Sequence, residues 1–388
     1  MSRALDKDTV AALQKGDPEA AFCAIADVLT EEPPSSPPSA HHLEIEFLGR
    51  GHPPLLAGEY LLRDGNAVAI PKLALVQAFL VARKILHKYR TAPAVPATAP
   101  LVARTSADNG RSQTIWRATA VILLMDPEHL TAANTRKRLI QAALRQDLGP
   151  SLAASASSLL DRELHLVDSL LTSHLHRHTK SPTLWSHRRW LLSFLATPAA
   201  ARQSRRSGGD DRVLQGMTKV VMVAAVRHPR NYYAWDHARW LIHWQQQASG
   251  KADDAWMLHL VVIVRDWCYR NHTDTSGWSF LFFLLASLPQ PPSPAASLSP
   301  LYDETVAQVE QMAKSLRWAG EAVWVFLRTA VAYRARAHGS AAACGSFQKS
   351  LSALLATVDA SSQEHQILKR AQEWCVANAA GHNKSTTT

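Results

Sequence analysis

Apolar residues recur at steps of three and four through most of the chain, as in Val213–Arg227 and again in Tyr232–Gln246. That spacing predicts helices that each bury one face. No block sustains a two-residue alternation and no Asn-Gly turn joins two such blocks, so the expected fold class is all-α. Prolines and small polar residues cluster at Glu31–Ala40, Thr91–Gly110, Ala199–Asp211 and Pro289–Pro300, which read as linkers or surface loops between helical blocks. The longest apolar stretches, Val220–Val226 and Leu281–Leu285, fall well short of the roughly 20 residues a membrane-spanning helix needs.

A tryptophan-centred pattern returns along the chain. Lys180-Ser-Pro-Thr-Leu-Trp185-Ser-His187-Arg188-Arg189-Trp190-Leu-Leu aligns with Arg230-Asn-Tyr-Tyr-Ala-Trp235-Asp-His237-Ala-Arg239-Trp240-Leu-Ile. Weaker copies centre on Trp278, with Leu284 and Leu285, and on Trp324, with Arg328. An earlier copy carries Ala133 in place of the tryptophan, followed by Arg136, Lys137, Leu139 and Ile140. The reference positions 133, 185, 235, 278 and 324 are spaced as helix pairs with loops of variable length would be. In the third unit, Val213–Arg227 is one helix, His228-Pro229-Arg230-Asn231 is the turn forced by proline, and a second helix starts at Tyr232. Trp235, Arg239 and Ile242 then share a face at i, i+4 and i+7, which places the indole against a neighbouring helix pair. The expected architecture is an α-α superhelix, a right-handed solenoid of helical hairpins. Its expected layout is an N-terminal region with a low-complexity linker over residues 1–59, and a helical preface with a Pro/Ala-rich loop over 60–110. Five repeats follow over 111–340, then a C-terminal helical cap and disordered tail over 341–388.

The 388 residues are 47% hydrophobic and 19% charged, which excludes wholesale disorder. Lysines and arginines number 42 against 32 aspartates and glutamates, a net charge of +10 that favours anionic partners. The basic residues are spread through the repeats rather than collected in one patch with exposed aromatics, so nucleic acid is not expected as a partner. The four cysteines, Cys23, Cys268, Cys344 and Cys375, lie far apart with no CxxC pair, which indicates neither a disulfide framework nor a cysteine zinc site. A reducing compartment and a cytoplasmic location are expected. Asp6, Asp8, Asp17 and Glu19 are wrong for a secretory or mitochondrial leader. Ser173-His174-Leu175-His176-Arg177-His178 is the one histidine cluster, and its two-residue spacing on a helix would point rings to opposite sides, a poor metal site. The run Arg202, Arg205, Arg206 beside Gly208, Gly209, Asp210 and Asp211 reads as a solvated loop.

The two near-complete repeats resemble those of protein prenyltransferase alpha subunits, most closely the repeat-containing branch of that family. Pro127-Glu-His-Leu-Thr-Ala-Ala-Asn-Thr-Arg-Lys-Arg-Leu-Ile and the upstream block from Pro71-Lys-Leu-Ala-Leu to Lys84-Ile-Leu-His-Lys-Tyr-Arg90 carry the same likeness. The resemblance spans residues 60 to 335. It implies an alpha subunit curled around a beta subunit like that of Rab geranylgeranyltransferase, the beta chain holding zinc, the thiol and most of the isoprenoid pocket. This chain would hold no cofactor of its own. The implied substrates are an isoprenoid diphosphate and a protein with a C-terminal cysteine.

On the same resemblance, Lys180 is the catalytic candidate, its ammonium stabilising charge on the departing diphosphate. Arg230, Asn231, Tyr232 and Tyr233 stand one repeat later, at the implied diphosphate and beta-subunit interface. Pro182 and Tyr233 depart from the usual tyrosine and histidine, which weakens any transfer of substrate preference. Arg188, Arg189 and Arg239 either line the concave face or bridge to carboxylates of the adjacent repeat. Trp185, Trp235, Trp278 and Trp324 are read as scaffold, and His187 and His237 as hydrogen-bonding groups between repeats. The competing expectation is a non-catalytic helical-repeat scaffold binding a protein partner in membrane trafficking; Ala133, Pro182, and Leu281 and Phe282 where arginines stand elsewhere favour it.

Overall fold

The computed structural model describes residues 13, 16–32, 42–49, 51–91, 101–146, 153–195, 213–249, 255–288, 300–338 and 341–379. Helices dominate them, as the three- and four-residue spacing predicts. The chain divides into two units, Met1–Ser207 with Thr218–His228, and Gly208–Met217 with Pro229–Thr388.

In the first unit α1 (Pro18–Thr30) starts on Asp17, whose carboxylate accepts the Glu19 and Ala20 amides at 3.0 Å, with Pro18 at the first helical position. It packs with α2 (Lys72–Thr91) and α3 (Leu101–Met125). Two hairpins follow: α3 with α4 (Leu130–Gln146), and α5 (Ala153–Leu171) with the single turn α6 (His176–Thr179) and α7 (Pro182–Leu195). The second helices α4 and α7 pack on one another, the contact expected of stacked hairpins.

A small sheet is the main feature that hydrophobic spacing missed. Strands β1 (Glu44–Leu48), β2 (Leu62–Asp64) and β3 (Ala67–Pro71) lie in the order β1-β3-β2, with β1 parallel and β2 antiparallel to β3. Ile45, Val68 and Ile70 face inward and are buried, while Glu44, Glu46, Ala67 and Ala69 face out or lie part-exposed. The alternation is therefore present, but only over four or five residues. The β2–β3 turn places Gly65 at φ +58°, a conformation that favours glycine. The Pro/Ala-rich stretch read as a loop to Gly110 also needs correction: α3 begins at Leu101 and carries residues 101–110 as helix. The other loop stretches, Ala199–Asp211 with its arginine run and the greater part of Pro289–Pro300, lie outside the described residues.

Residues 213–227 are helical, as expected, but Gly216–Val221 forms a π-helical turn before α8 (Met222–Arg227). In the second unit α9 (Tyr232–Ser249) is followed by three hairpins: α10 (Ala255–Arg270) with α11 (Thr275–Ala286), α12 (Pro300–Ser315) with α13 (Glu321–His338), and α14 (Ala341–Leu355) with α15 (Gln363–Ala379). Here too second helices stack in succession, α9 on α11, α11 on α13 and α13 on α15. The buried indoles of Trp235, Trp278 and Trp324 are among the largest side chains in this core. No described helix is long and apolar enough to cross a membrane.

Candidate functional site

The turn that opens the second helix has one repeated chemistry in the first four repeats, set by the residue four before the reference position; the fifth has Gly320 there. His129 Nδ1 accepts the Ala132 amide at 3.1 Å, Ser181 Oγ the Leu184 amide at 3.0 Å, Asn231 Oδ1 the Ala234 amide at 3.3 Å, and Asp274 Oδ1 the Gly277 amide at 3.1 Å. Each is an N-cap that satisfies an amide left open at the helix start. Two caps also reach the preceding turn. Ser181 Oγ donates to the Pro127 carbonyl at 3.2 Å, and Asp274 Oδ2 accepts the Arg230 amide at 2.7 Å. The same side chains that start the helices thus stitch consecutive turns together. Asn231, carried over as a diphosphate donor, is fully buried in this capping role.

The indoles are pinned by a second recurring bond. Trp185 Nε1 donates to the Thr179 carbonyl at 2.9 Å, Trp278 Nε1 to His272 at 2.9 Å and Trp324 Nε1 to Trp318 at 2.7 Å, six residues upstream each time. A buried indole therefore loses no hydrogen bond. In the third repeat Arg230 takes φ +58°, which redirects the turn, and the Trp235 N–H makes no bond of this kind. Trp235 is held by rings instead, Trp267 edge-on at 4.9 Å and Phe280 at 5.1 Å.

The basic positions divide by burial. Three residues after the reference position, Arg136 and Arg188 point into the core. Arg136 is fully buried and gives Nε to Glu163 at 2.8 and 3.0 Å, Nη2 to Glu163 at 2.5 Å, and Nη1 to the Trp116 carbonyl at 2.6 Å and Thr119 Oγ1 at 2.9 Å. Its guanidinium also lies 4.0 Å from the Trp116 ring centre. His187 Nε2 is 2.9 Å from Glu163 Oε1 on α5 of its own hairpin, a contact within the repeat rather than the one between repeats expected of it. Burial alone would push the Glu163 carboxyl up, but Arg136, with the Arg136 and His187 hydrogen bonds, outweighs it and holds the group down at about 2. Arg188 forms the corresponding pair with Asp168, Nε to Oδ1 at 2.6 Å and Nη2 to Oδ2 at 3.2 Å. Its carboxylate belongs to α5 of its own hairpin rather than to an adjacent repeat, a pairing that neither expected role describes.

One position further on, the cations lie over aromatic rings of the next hairpin. Lys137 Nζ is 5.4 Å from the Trp190 ring, and Arg239 lies 5.7 and 5.5 Å from Phe280 and Phe283. Arg239 Nη2 also donates to Ser279 Oγ at 3.0 Å. Arg328 lies 4.9 Å from Trp374 on α15. Arg189, at the same position on α7, is half-buried. The residue pattern could have shown this: a cation at the fourth place faces an aromatic at the fifth place of the following repeat.

Lys180 and Arg230 remain at the turn surface, five before the reference position. Lys180 is half-buried, with its amide donating to the His178 carbonyl. Arg230 and Tyr232 are exposed, and the Tyr232 and Tyr233 rings lie 4.5 Å apart. Lys180, Arg188 and Arg189 belong to the first unit; Arg230 to Tyr233 and Arg239 belong to the second. The histidine cluster is not one helix: only His176 and His178 lie in α6, and His178 is buried with Nε2 2.9 Å from the Leu124 carbonyl. Burial brings its pKa down to about 4. Among the described residues, no group of three or more His, Cys, Asp or Glu is disposed to hold a metal ion.

The hairpin holding the Arg188–Asp168 pair, the Ser181 cap and Lys180 is the one that comparison with known families picks out: residues 160–195 match the protein prenyltransferase alpha subunit repeat. Residues 184–291 also match the ECM9 middle domain. The chain is 32% identical over 188 residues to protein prenyltransferase alpha subunit repeat-containing protein 1 of Danio rerio, covering 46% of this chain and 39% of that protein. It is 32% identical over 178 residues to the protein of the same name from Homo sapiens, covering 44% and 39%. It is 37% identical over 75 residues to geranylgeranyl transferase type-2 subunit alpha 2 of Arabidopsis thaliana, covering 19% and 10%. These matches span about two fifths or less of the relatives' own lengths. The resemblance read from the tryptophan repeats is thus borne out, and the prenyltransferase repeat carries Lys180 at the turn that opens its second helix.

Proposed function

We propose that the chain is the alpha-type subunit of a protein prenyltransferase of the geranylgeranyl class, active only with a beta subunit that carries zinc and most of the isoprenoid site. The observation that carries this reading is the placement of Lys180 at the surface turn of the matched repeat, while the neighbouring Arg188 is committed to the core. Arg230, at the equivalent turn of the third repeat, is exposed, and Tyr232 beside it is 58% exposed. The first-unit turn carries an ammonium, and the second-unit turn a guanidinium and phenol hydroxyls, groups of the kind that donate to anions. Lys180 stabilises the negative charge that grows on the diphosphate oxygen as the allylic carbon–oxygen bond breaks, a contribution made in the transition state. Arg230, Tyr232 and Tyr233 contact the beta subunit. The acceptor is a protein with a C-terminal cysteine, and the complex works in the cytoplasm.

Co-expression with a Rab geranylgeranyltransferase-type beta subunit, followed by transfer from geranylgeranyl diphosphate, tests the reading. Lys180→Ala should leave the complex intact and slow transfer about 10²–10³-fold, the usual effect of removing one preorganised donor. An intact complex with undiminished transfer would remove Lys180 from the chemistry.

A second reading, a non-catalytic scaffold for a protein partner, draws on one specific observation. Asn231 and Arg188, two of the positions carried over as ligand donors, are buried in a helix cap and an ion pair. A chain that purifies alone and ignores beta subunits would favour it.

A further inference from the structure

The sequence separates the cysteines widely, but the fold brings two of them together. Cys344 lies on α14 and Cys375 on α15, the two helices of the last hairpin, which pack against each other. Both side chains are buried, and their sulfurs stand 4.0 Å apart. Cys23 is exposed and Cys268 is buried in α10. The paired sulfurs are thus in van der Waals contact across a helix interface, and about 2 Å of approach separates them from the roughly 2.05 Å of a covalent bond. Closing that distance takes side-chain rotation and a small shift of the helices.

We propose that Cys344 and Cys375 form a latent disulfide site: two-electron oxidation by a peroxide joins α14 covalently to α15 and locks the last hairpin. One thiolate attacks the peroxide O–O bond, giving a sulfenic acid and releasing one water. The second thiol then attacks the sulfenic sulfur, the S–S bond forms, and a second water leaves. Two electrons pass from the two sulfurs to the peroxide, and both thiol protons end in water.

The surroundings set the rate. Burial, and then the neighbouring Cys344 thiol, push the Cys375 thiol up to about 12, so the thiolate that must attack is scarce while the helices are closed. Oxidation therefore proceeds through opening of the hairpin rather than at its closed surface. The pair differs in this from a reactive redox sensor, which keeps an exposed, acidic thiol. It is a slow trap that records opening of α14 and α15.

Locking has a consequence for the repeat array. Trp374 precedes Cys375 on α15 and stacks on Arg328 of α13, a member of the row of cations over rings. A covalent tie between α14 and α15 holds Trp374 over Arg328, so the last second-helix contact of the second unit persists under conditions that would otherwise release it. This inference rests on the geometry of the last hairpin alone and stands whether or not the chain acts in prenyl transfer.

The test is a thiol count on the full chain. Protein incubated with hydrogen peroxide at a concentration that melts no structure by circular dichroism is denatured, and its free thiols are titrated with an aromatic disulfide reagent. The count should fall from the four cysteines of the sequence to two, and digestion should yield one peptide linking Cys344 to Cys375 that a phosphine reductant separates. A Cys23→Ser, Cys268→Ser chain should go from two thiols to none, and low denaturant should speed the loss. Retention of four thiols after peroxide treatment, a link to Cys23 or Cys268, or sulfinic and sulfonic acids in place of the bond would overturn the proposal. The readouts on wild-type chain need no variant, so a misfolded variant leaves the test intact.

Discussion

Arg136 and Glu163 meet in a forked ion pair with both side chains fully removed from water, and the indole of Trp116 lies against the guanidinium. The pair joins α4 of one hairpin to α5 of the next. Two buried charges survive there because each has its hydrogen bonds met: the arginine by Glu163, Trp116 and Thr119, the carboxylate by the arginine with His187 alongside. Removing one partner leaves the other charge buried and alone. Arg136→Ala should cost about 3–5 kcal/mol of unfolding free energy by denaturant titration, with Glu163→Gln in the same direction.

The same carboxylate sets a pH response. Glu163 is held at about 2 when folded against 4.5 in the unfolded chain, so its contribution is complete above pH 4.5 and is lost as pH falls towards 2. His178 acts in a higher window. Burial lowers it to about 4 from 6.5, so the unfolded chain takes up the proton first, and stability declines as pH falls from 6.5 to 4. Denaturant midpoints of wild type and His178→Gln, taken across pH 7.5 to 4, should converge as pH drops, because the variant lacks this slope. Parallel curves would remove His178 from the response.

Gly277 precedes Trp278 at the start of α11, where the equivalent residues are Leu184 and Ala234. A Cβ built at Gly277 would stand 2.4 Å from the six-membered ring of Trp267, itself packed edge-on to Trp235. Gly277→Ala should therefore destabilise by about 1–3 kcal/mol despite alanine's better helix propensity. Thermal melts together with near-ultraviolet circular dichroism, which reports the displaced indoles, check this.

Much of this was legible in the sequence. The tryptophan frame placed the second helices and their buried indoles, because a large ring recurring at one helix position has to be accommodated the same way each time. The N-caps His129, Ser181, Asn231 and Asp274 came only from the structure, and their use as stitches between turns depends on distances between hairpins. The sheet escaped because Glu44-Ile45-Glu46-Phe47 is too short an alternation to stand out, and β1 finds β3 only across an intervening loop. The fate of the arginines was not legible either. Arg188 and Arg189 are adjacent in sequence, and it is the 100° step of the helix that turns the first to Asp168 and leaves the second part-exposed. Likewise, Cys344 and Cys375 meet only through the pairing of α14 with α15.

Arg230 allows stability and the proposed beta-subunit contact to be tested separately. A non-glycine residue at φ +58° holds strain of about 1 kcal/mol, which its amide bond to Asp274 offsets. Arg230→Gly should leave unfolding free energy equal or raised by up to about 1 kcal/mol, while weakening association with the beta subunit about tenfold. Asp274→Ala should instead lower stability by about 1–2 kcal/mol, since it uncaps α11 and frees the Arg230 amide together. Chemical denaturation paired with binding titrations distinguishes the two.

The most direct measurement is the mass of what this chain purifies with when co-expressed with a Rab geranylgeranyltransferase-type beta subunit, read by light scattering after size exclusion. The account predicts a one-to-one complex that transfers geranylgeranyl to a protein with a C-terminal cysteine, with neither chain transferring alone. A chain that elutes as a monomer at its own 42.7 kDa beside every beta subunit offered would contradict it.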